Sequence, residues 1–577
     1  MIGVRQGERP NAQAKNVYEL FTGKTFRVPD YQRTYSWEKE HWQALWNDIK
    51  EGLSTKTEHY WGTITLRDTG ESIYCKERAM SLRTYELVDG QQRVATLYLL
   101  LLGLCRAGKT ALQATFIKTD GIYRLELGNL NNQFLKDLVD KKNPEPHPKT
   151  NRLLKDALDY FENQIRMGID LDELCEYLQG FTFSLEFAVR DQTLAVKAFE
   201  SLNDRGKDLT WLDKTKSYLM FLSMRYLNGT ADAKINEIFG RVFLSYDFIK
   251  ETGDSEGISY IRSKAFSEDE LLRLFYHYFA YFAILEYKPP IAYDYDASVD
   301  DVLQVLLKKS FDHLKHDPDL LKSFVTEFLE SLNRCVQAFK TIVDKSKTDH
   351  TYRRLFVFLG PHARVYPLAV SLEAEGFLDQ QMLDMIERLD LRVYKIRGTE
   401  PRAALYRDVV CLVKMTRDVN RIRGSIKNFV DQFMPDAQFG GSLSQSLYGN
   451  PAVKYILWQY EKDQDPSFDD ANAVLYRDLE IDHVFPQTPT FNFPAHSFDD
   501  GSSYFLSIDK LGNLTLLEKG LNGSAYQKMP EKKPAYYQQS KVAGTKKLGF
   551  FIDNRGFTKE DIDARNKAII DFCIRRW

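Results

Sequence analysis

Apolar positions in the first two hundred residues recur with two different periods. HYWGTITL, RTYELV and FTFSLEFAV alternate apolar with polar and predict strands, and Phe26-Arg27-Val28-Pro29 predicts a short edge strand. Trp42, Leu45, Trp46 and Ile49 recur at helical spacing behind Ser36, which predicts a helix capped by that serine. RTYELV runs through the turn Asp89-Gly90 into a long apolar helix that opens with Gln91-Gln92-Arg93. From about residue 220 to 440 the period is helical. Ser267 and Glu270 predict a capping box, with Phe266 and Leu271 in staple positions. Two stretches rich in Gly, Ser, Asp and Pro predict a break between 435 and 470. Beyond it LEIDH predicts a strand that stops before Pro486, NLTLL a second strand, and the stretch after Asn522 a loop and helix cut by Pro530 and Pro534. The pattern predicts a predominantly helical α+β chain in three parts, at 1–220, 221–440 and 441–577.

A length of 577 residues accommodates about three to four domains. The 43% hydrophobic and 28% charged content is that of ordinary globular chains. A net charge of −3 removes any global basic field, so contact with nucleic acid must run through local patches. One such patch lies at 505–577, with 14 Lys and Arg against 8 Asp and Glu. Cys75, Cys105, Cys175, Cys335, Cys411 and Cys573 are scattered without a CxxC pair, which indicates neither a thiolate zinc site nor a dense disulfide framework and fits a reducing compartment. The polar start and the lack of an apolar run of spanning length predict a cytoplasmic protein without a membrane segment. His313 and His316 share a helix face, but two histidines need further ligands to hold a metal.

Asp482 and His483 end the first C-terminal strand, and Asn513 and Asn522 follow about thirty and forty residues later. Phosphodiester hydrolysis needs an imidazole titrating near working pH and a cation to neutralise developing charge, and carboxylate and amide oxygens suit magnesium. The succession DHxxP, GNL, LN and a lysine-containing tail, in strand–loop–strand–helix order, resembles the HNH (ββα-metal) nuclease domain at the C-terminus of GmrSD-type restriction enzymes. That resemblance covers about a hundred residues. It implies His483 as general base, Asp482 and Asn522 as ligands of magnesium or manganese, Asn513 as orienter of His483 or brace of the loop, and Lys528 as a phosphate contact.

Near the N-terminus, exposed amides in the helix's first turn after Gly90 attract phosphate, whereas Arg93 there opposes the helix dipole unless an acid or a phosphate partners it. VPDYQRTYSW, VDGQQR and FESLNDRGKDLTWLDKTKSYL resemble the ParB/sulfiredoxin-like N-terminal domain of the same family, over about two hundred residues. The resemblance implies a nucleotide site of Asp89, Gln91, Gln92 and Arg93, joined by Gln32 and Arg33, with Asn203, Arg205 and Gly206 lining or bracing it. No GxxxxGK[ST] loop is present, so an NTP, GTP or ATP, would use another cradle.

By resemblance the chain is expected to be a modification-dependent DNA endonuclease of anti-phage defence, in which an NTP-hydrolysing module governs an HNH domain that nicks or cuts modified double-stranded DNA. An NTP-regulated nuclease without modification sensing, and a DNA-binding scaffold with a degenerate nuclease domain, remain the alternatives. Homo-oligomerisation is left open.

Overall fold

A computed structural model describes all residues except 1–11, 30–33, 147–148, 190–209, 280–296, 399, 402, 466–467 and 471. The chain forms two compact units, one of residues 1–248 with 302–333 and one of 249–301 with 334–577. Helix predominates over a small amount of sheet, an α+β composition. Among the described residues no helix is long and apolar enough to cross a membrane.

The first unit is built on a six-stranded mixed sheet in the order β1-β8-β3-β4-β2-β7. Its strands are β1 (Ala12–Asn16), β2 (Lys24–Arg27), β3 (His59–Cys75), β4 (Met80–Asp89), β7 (Leu125–Glu126) and β8 (Thr182–Val189). β5 (Lys118–Thr119) and β6 (Ile122–Tyr123) make a separate ribbon. The three alternating runs became β3, β4 and β8. The expected edge strand did not stay at an edge: β2 pairs in parallel with β4 on one side and β7 on the other. The helix behind it is Lys39–Thr55, buried through Trp42, Leu45, Trp46 and Ile49 as its spacing demands. It starts later than predicted, with Glu38 as N-cap, and the Ser36 hydroxyl has no hydrogen-bond partner among the described residues. The helix Gln91–Arg106 is buried along nearly its whole length, which explains its unbroken apolar run.

In the second unit the helix after Ser267 is described as Glu270–Phe279. The predicted capping box does not form, since the Glu270 carboxylate accepts from the Tyr260 hydroxyl (2.7 Å) and from Arg273 (2.9 Å) instead. The expected break at 435–470 is largely helical: Asp436–Leu443 and Ala452–Gln464 are both helices. Trp458 anchors the latter helix against Phe358, Phe468 and Tyr476. At the C-terminal end β9 (Leu479–His483) and β10 (Leu514–Glu518) form a two-stranded antiparallel sheet, and the helix Lys519–Ala525 follows directly. A core of Val484, Phe485, Phe498, Tyr504, Leu517, Tyr537 and neighbouring apolar side chains lies beneath this hairpin. All six cysteines are free and buried.

Candidate functional site

The hairpin register opposes Leu514 to His483 and Thr515 to Asp482. Because side chains alternate along a strand, Asp482 and His483 face opposite ways. His483 is buried, and its Nε2 lies 2.9 Å from Oδ1 of Asp509, with the Tyr448 ring edge-on at 4.3 Å. Burial lowers its pKa below the ordinary value, while the bond to Asp509 and the Asp509 charge act in the opposite direction. With Asp509 accepting from Nε2–H, the Nδ1 lone pair is left as the basic position. Asp509 is itself anchored: its backbone carbonyl accepts from the Leu447 amide at 3.0 Å.

On the other face Asp482 is 5% exposed and takes the Lys533 ammonium on both oxygens, at 3.0 and 2.8 Å, together with the Tyr537 hydroxyl. Lys533 also donates to the His483 carbonyl. Burial pushes the Lys533 pKa down against the pull of Asp482, and burial with the Asp482 charge pushes Tyr537 up. Glu480, two residues earlier and so on the Asp482 face, accepts from Nδ2 of Asn522 at 2.8 Å. The structure therefore brings Asp482 and Asn522 to one face of β9, with His483 on the other.

Asn513, fully buried, does not touch His483. Its Oδ1 accepts from the Phe485 amide (2.9 Å) and its Nδ2 donates to the carbonyls of Phe485 (3.0 Å) and Ile508 (2.8 Å), so it clamps both ends of the loop joining the strands. Lys528 reaches the Ser524 carbonyl and the Tyr536 hydroxyl (2.5 Å) and remains partly exposed.

Whether this donor set suits a divalent cation can be judged from what surrounds it. Among the described residues no group of three or more His, Cys, Asp or Glu is arranged around a metal position. The Asp482 carboxylate nonetheless already holds a cation, the Lys533 ammonium, and Asn522 leaves its Oδ1 without a hydrogen bond among the described residues. A carboxylate and an amide oxygen are hard donors of the kind a divalent ion takes, and the carboxylate here is paired with the buried Lys533 ammonium.

In the first unit, Gly90 adopts φ 92° and the helix starts at Gln91. Arg93 finds the acidic partner its position demands in Asp89, at 3.1 Å. It also crosses Gly62, where a Cβ would lie 1.9 Å from Nη1. Gln92 is spent on structure: its Nε2 donates to the Thr34 carbonyl (3.0 Å) and its Oε1 accepts from the Ser36 amide (2.8 Å). Beside it opens a cavity of about 190 Å³ lined by Gln91 and Gln92, by Val28, Tyr35 and Leu127, and by Lys216, Asn236 and Phe243. Asp89 and Arg93 do not line it. Gln32, Arg33, Asn203, Arg205 and Gly206 lie outside the described residues.

Sequence reasoning missed Asp509, Lys533, Tyr537 and Glu480 in the hairpin, and Lys216 and Asn236 at the cavity. Lys533 and Tyr537 carried one faint signal, the i, i+4 spacing that lets two side chains serve one target. No curated protein matches the chain. A family model for the GmrSD restriction endonuclease N-terminal domain matches residues 17–220, and one for the C-terminal domain matches 439–572, which holds the whole hairpin. With both halves of that family's domain pair covering more than half of its length in the same order, the chain belongs to the GmrSD restriction endonuclease family, a family of nucleases.

Proposed function

We propose that this chain is an NTP-regulated, modification-dependent DNA endonuclease of anti-phage defence, cutting or nicking with an HNH (ββα-metal) site built on β9, β10 and the helix Lys519–Ala525. The observation that carries the proposal is the His483–Asp509 pair at 2.9 Å on a strand whose preceding residue, Asp482, is a cation-holding carboxylate. Among the described residues β9 pairs with β10 alone, which leaves its other edge without a strand partner. A DNA phosphate along that edge would have His483 on one side and the Asp482 group on the other.

His483 Nδ1 takes a proton from a water while the water oxygen bonds to phosphorus, and the P–O bond to the leaving sugar oxygen breaks. Asp509 keeps the second proton on Nε2 and stabilises the imidazolium that forms. Asp482 and Asn522 would hold a magnesium or manganese ion, whose charge neutralises the phosphorane and the leaving oxygen. Asn513 fixes the loop that carries Asp509, and Lys528 contributes positive charge to the DNA side. The first unit, with a ParB/sulfiredoxin-like fold, would bind and hydrolyse GTP or ATP beside Gln91 and inspect the DNA.

The test is cleavage of plain and base-modified duplex DNA with each NTP, by the native chain and by His483→Ala. The native chain should cut modified DNA preferentially and in an NTP-dependent way. His483→Ala should bind DNA with unchanged affinity and leave it intact. Cutting by the alanine variant would remove the assigned base, and equal cutting of both DNAs would leave a nuclease without modification sensing.

A further inference from the structure

We propose that the cavity beside Gln91 is a nucleobase subsite, reading the base edge of the nucleotide through the Gln91 amide while the triphosphate stays outside it. This rests on the nucleotide reading given above and assigns which part of the ligand goes where. Gln91 is 6% exposed, lines the cavity, and its amide makes no hydrogen bond among the described residues. Gln92, its neighbour, has both ends of its amide satisfied by the chain. The Gln91 amide therefore opens on the cavity, where a ligand can complete its bonding. The Oδ1 of Asn236, also on the cavity lining, is buried without a partner among the described residues, which costs about 1–3 kcal/mol unless a ligand completes the bonding.

Three features select a base over a phosphate. An amide offers one acceptor and a pair of donors, which matches the mixed pattern of a Watson–Crick edge and not the acceptor-only surface of a phosphate. Val28, Ala95, Leu127 and Phe243 give the cavity apolar walls, suited to the faces of a planar ring. Among the described residues the cations on the lining are Lys216 and Arg241, and Arg241 is paired with Glu237, a poor match to a polyanion. At about 190 Å³ the cavity is also smaller than the roughly 300–1,000 Å³ of clefts that enclose a whole drug-sized ligand. The phosphates are left to the start of the helix Gln91–Arg106, outside the cavity, where first-turn amides and Arg93 lie.

The full chain is titrated with a fluorescent NTP, and the probe is competed with each free nucleoside and with inorganic tripolyphosphate. One nucleoside should displace the probe, and the nucleosides should differ among themselves at least tenfold. Gln91→Leu should weaken NTP binding about tenfold or more and abolish that difference with no fall in thermal midpoint. Ala95→Phe, which fills the cavity and breaks no hydrogen bond, should block nucleosides but not tripolyphosphate. Displacement by tripolyphosphate with none by any nucleoside overturns the subsite while the nucleotide site stands. Displacement only by a duplex carrying an extruded base assigns the cavity to DNA and overturns the proposal. Absence of any NTP binding removes the nucleotide site and the subsite together.

Discussion

Removing the Asp509 carboxylate tests the hairpin site at the point where orientation and charge meet. In Asp509→Ala the His483 ring loses its Nε2 acceptor and keeps the packing of Tyr448. A hydrogen bond to a charged partner contributes about 1.5–3 kcal/mol. It strengthens as the imidazole becomes an imidazolium, so the loss belongs to the transition state and appears in kcat. At roughly 1.4 kcal/mol per factor of ten, the expected fall is about 10- to 150-fold. The Asp509 side chain is 29% exposed, and solvent screening places the result in the lower half of that range. Asp509→Asn should be worse than alanine. Its amide can donate to Nε2, which moves the ring proton to Nδ1 and removes the lone pair that accepts from water. The assay is single-turnover cleavage at saturating DNA, with DNA affinity and thermal midpoint measured alongside. A kcat for Asp509→Ala within twofold of native would refute the orienting role, and an Asn variant more active than Ala would refute the tautomer.

Lys533→Met should destabilise the second unit by about 3–5 kcal/mol, since it strands a buried carboxylate, and Asp482→Asn in the same chain should recover most of that; urea midpoints decide, and a single variant as stable as native would contradict a tight pair. EDTA should stop cleavage and magnesium or manganese restore it, whereas full activity in chelator would exclude a metal-dependent site. His277, 1% exposed and stacked on Tyr406 at 3.8 Å, has its pKa lowered to about 3 by burial and by Arg273 and Arg364. Below its ordinary value near 6.5 the unfolded chain takes up a proton that the folded chain refuses, so stability falls as pH drops from there towards 3, by about 2 kcal/mol at pH 5. His277→Phe should abolish that loss, and identical pH dependence of the two unfolding curves would refute it.

Sequence period and turn chemistry located the elements of the hairpin well, because they are local properties. LEIDH and NLTLL gave β9 and β10 at the predicted places, and Asp89-Gly90 gave a turn into a buried helix. Partners were not legible where they lie far along the chain. Asp509 is 26 residues from His483, and Lys533 is 51 from Asp482. Nothing in the residues around either position encodes which distant loop will fold against it. Gln92 shows the converse: a polar side chain in a candidate ligand-binding motif is satisfied internally by Thr34 and Ser36, while the adjacent Gln91 is not. The Gly- and Ser-rich stretch at 436–443 became helix because Phe439 and Leu443 bury on one side of it, tertiary packing overriding weak local propensity.

Placing the proposed base and the carboxylate on consecutive residues makes the hairpin register part of the proposed chemistry. A slip of one residue would exchange the two faces of β9 and turn Asp482 toward Asp509 and His483 toward Lys533. The chain resists that slip from both strands. Thr515, opposite Asp482, bonds its hydroxyl to Thr545 at 2.8 Å, and Thr545 in turn donates to the Leu516 carbonyl at 2.6 Å. Just past β9 the Val484 amide donates to the Asn513 carbonyl at 2.8 Å, and the Asn513 side chain fixes Phe485. On the proposed reading, substituting Asn513 should alter which side chain meets the phosphate without removing any group that acts on it, a reason for an asparagine whose side chain bonds to neither His483 nor Asp482 to sit in the GNL segment.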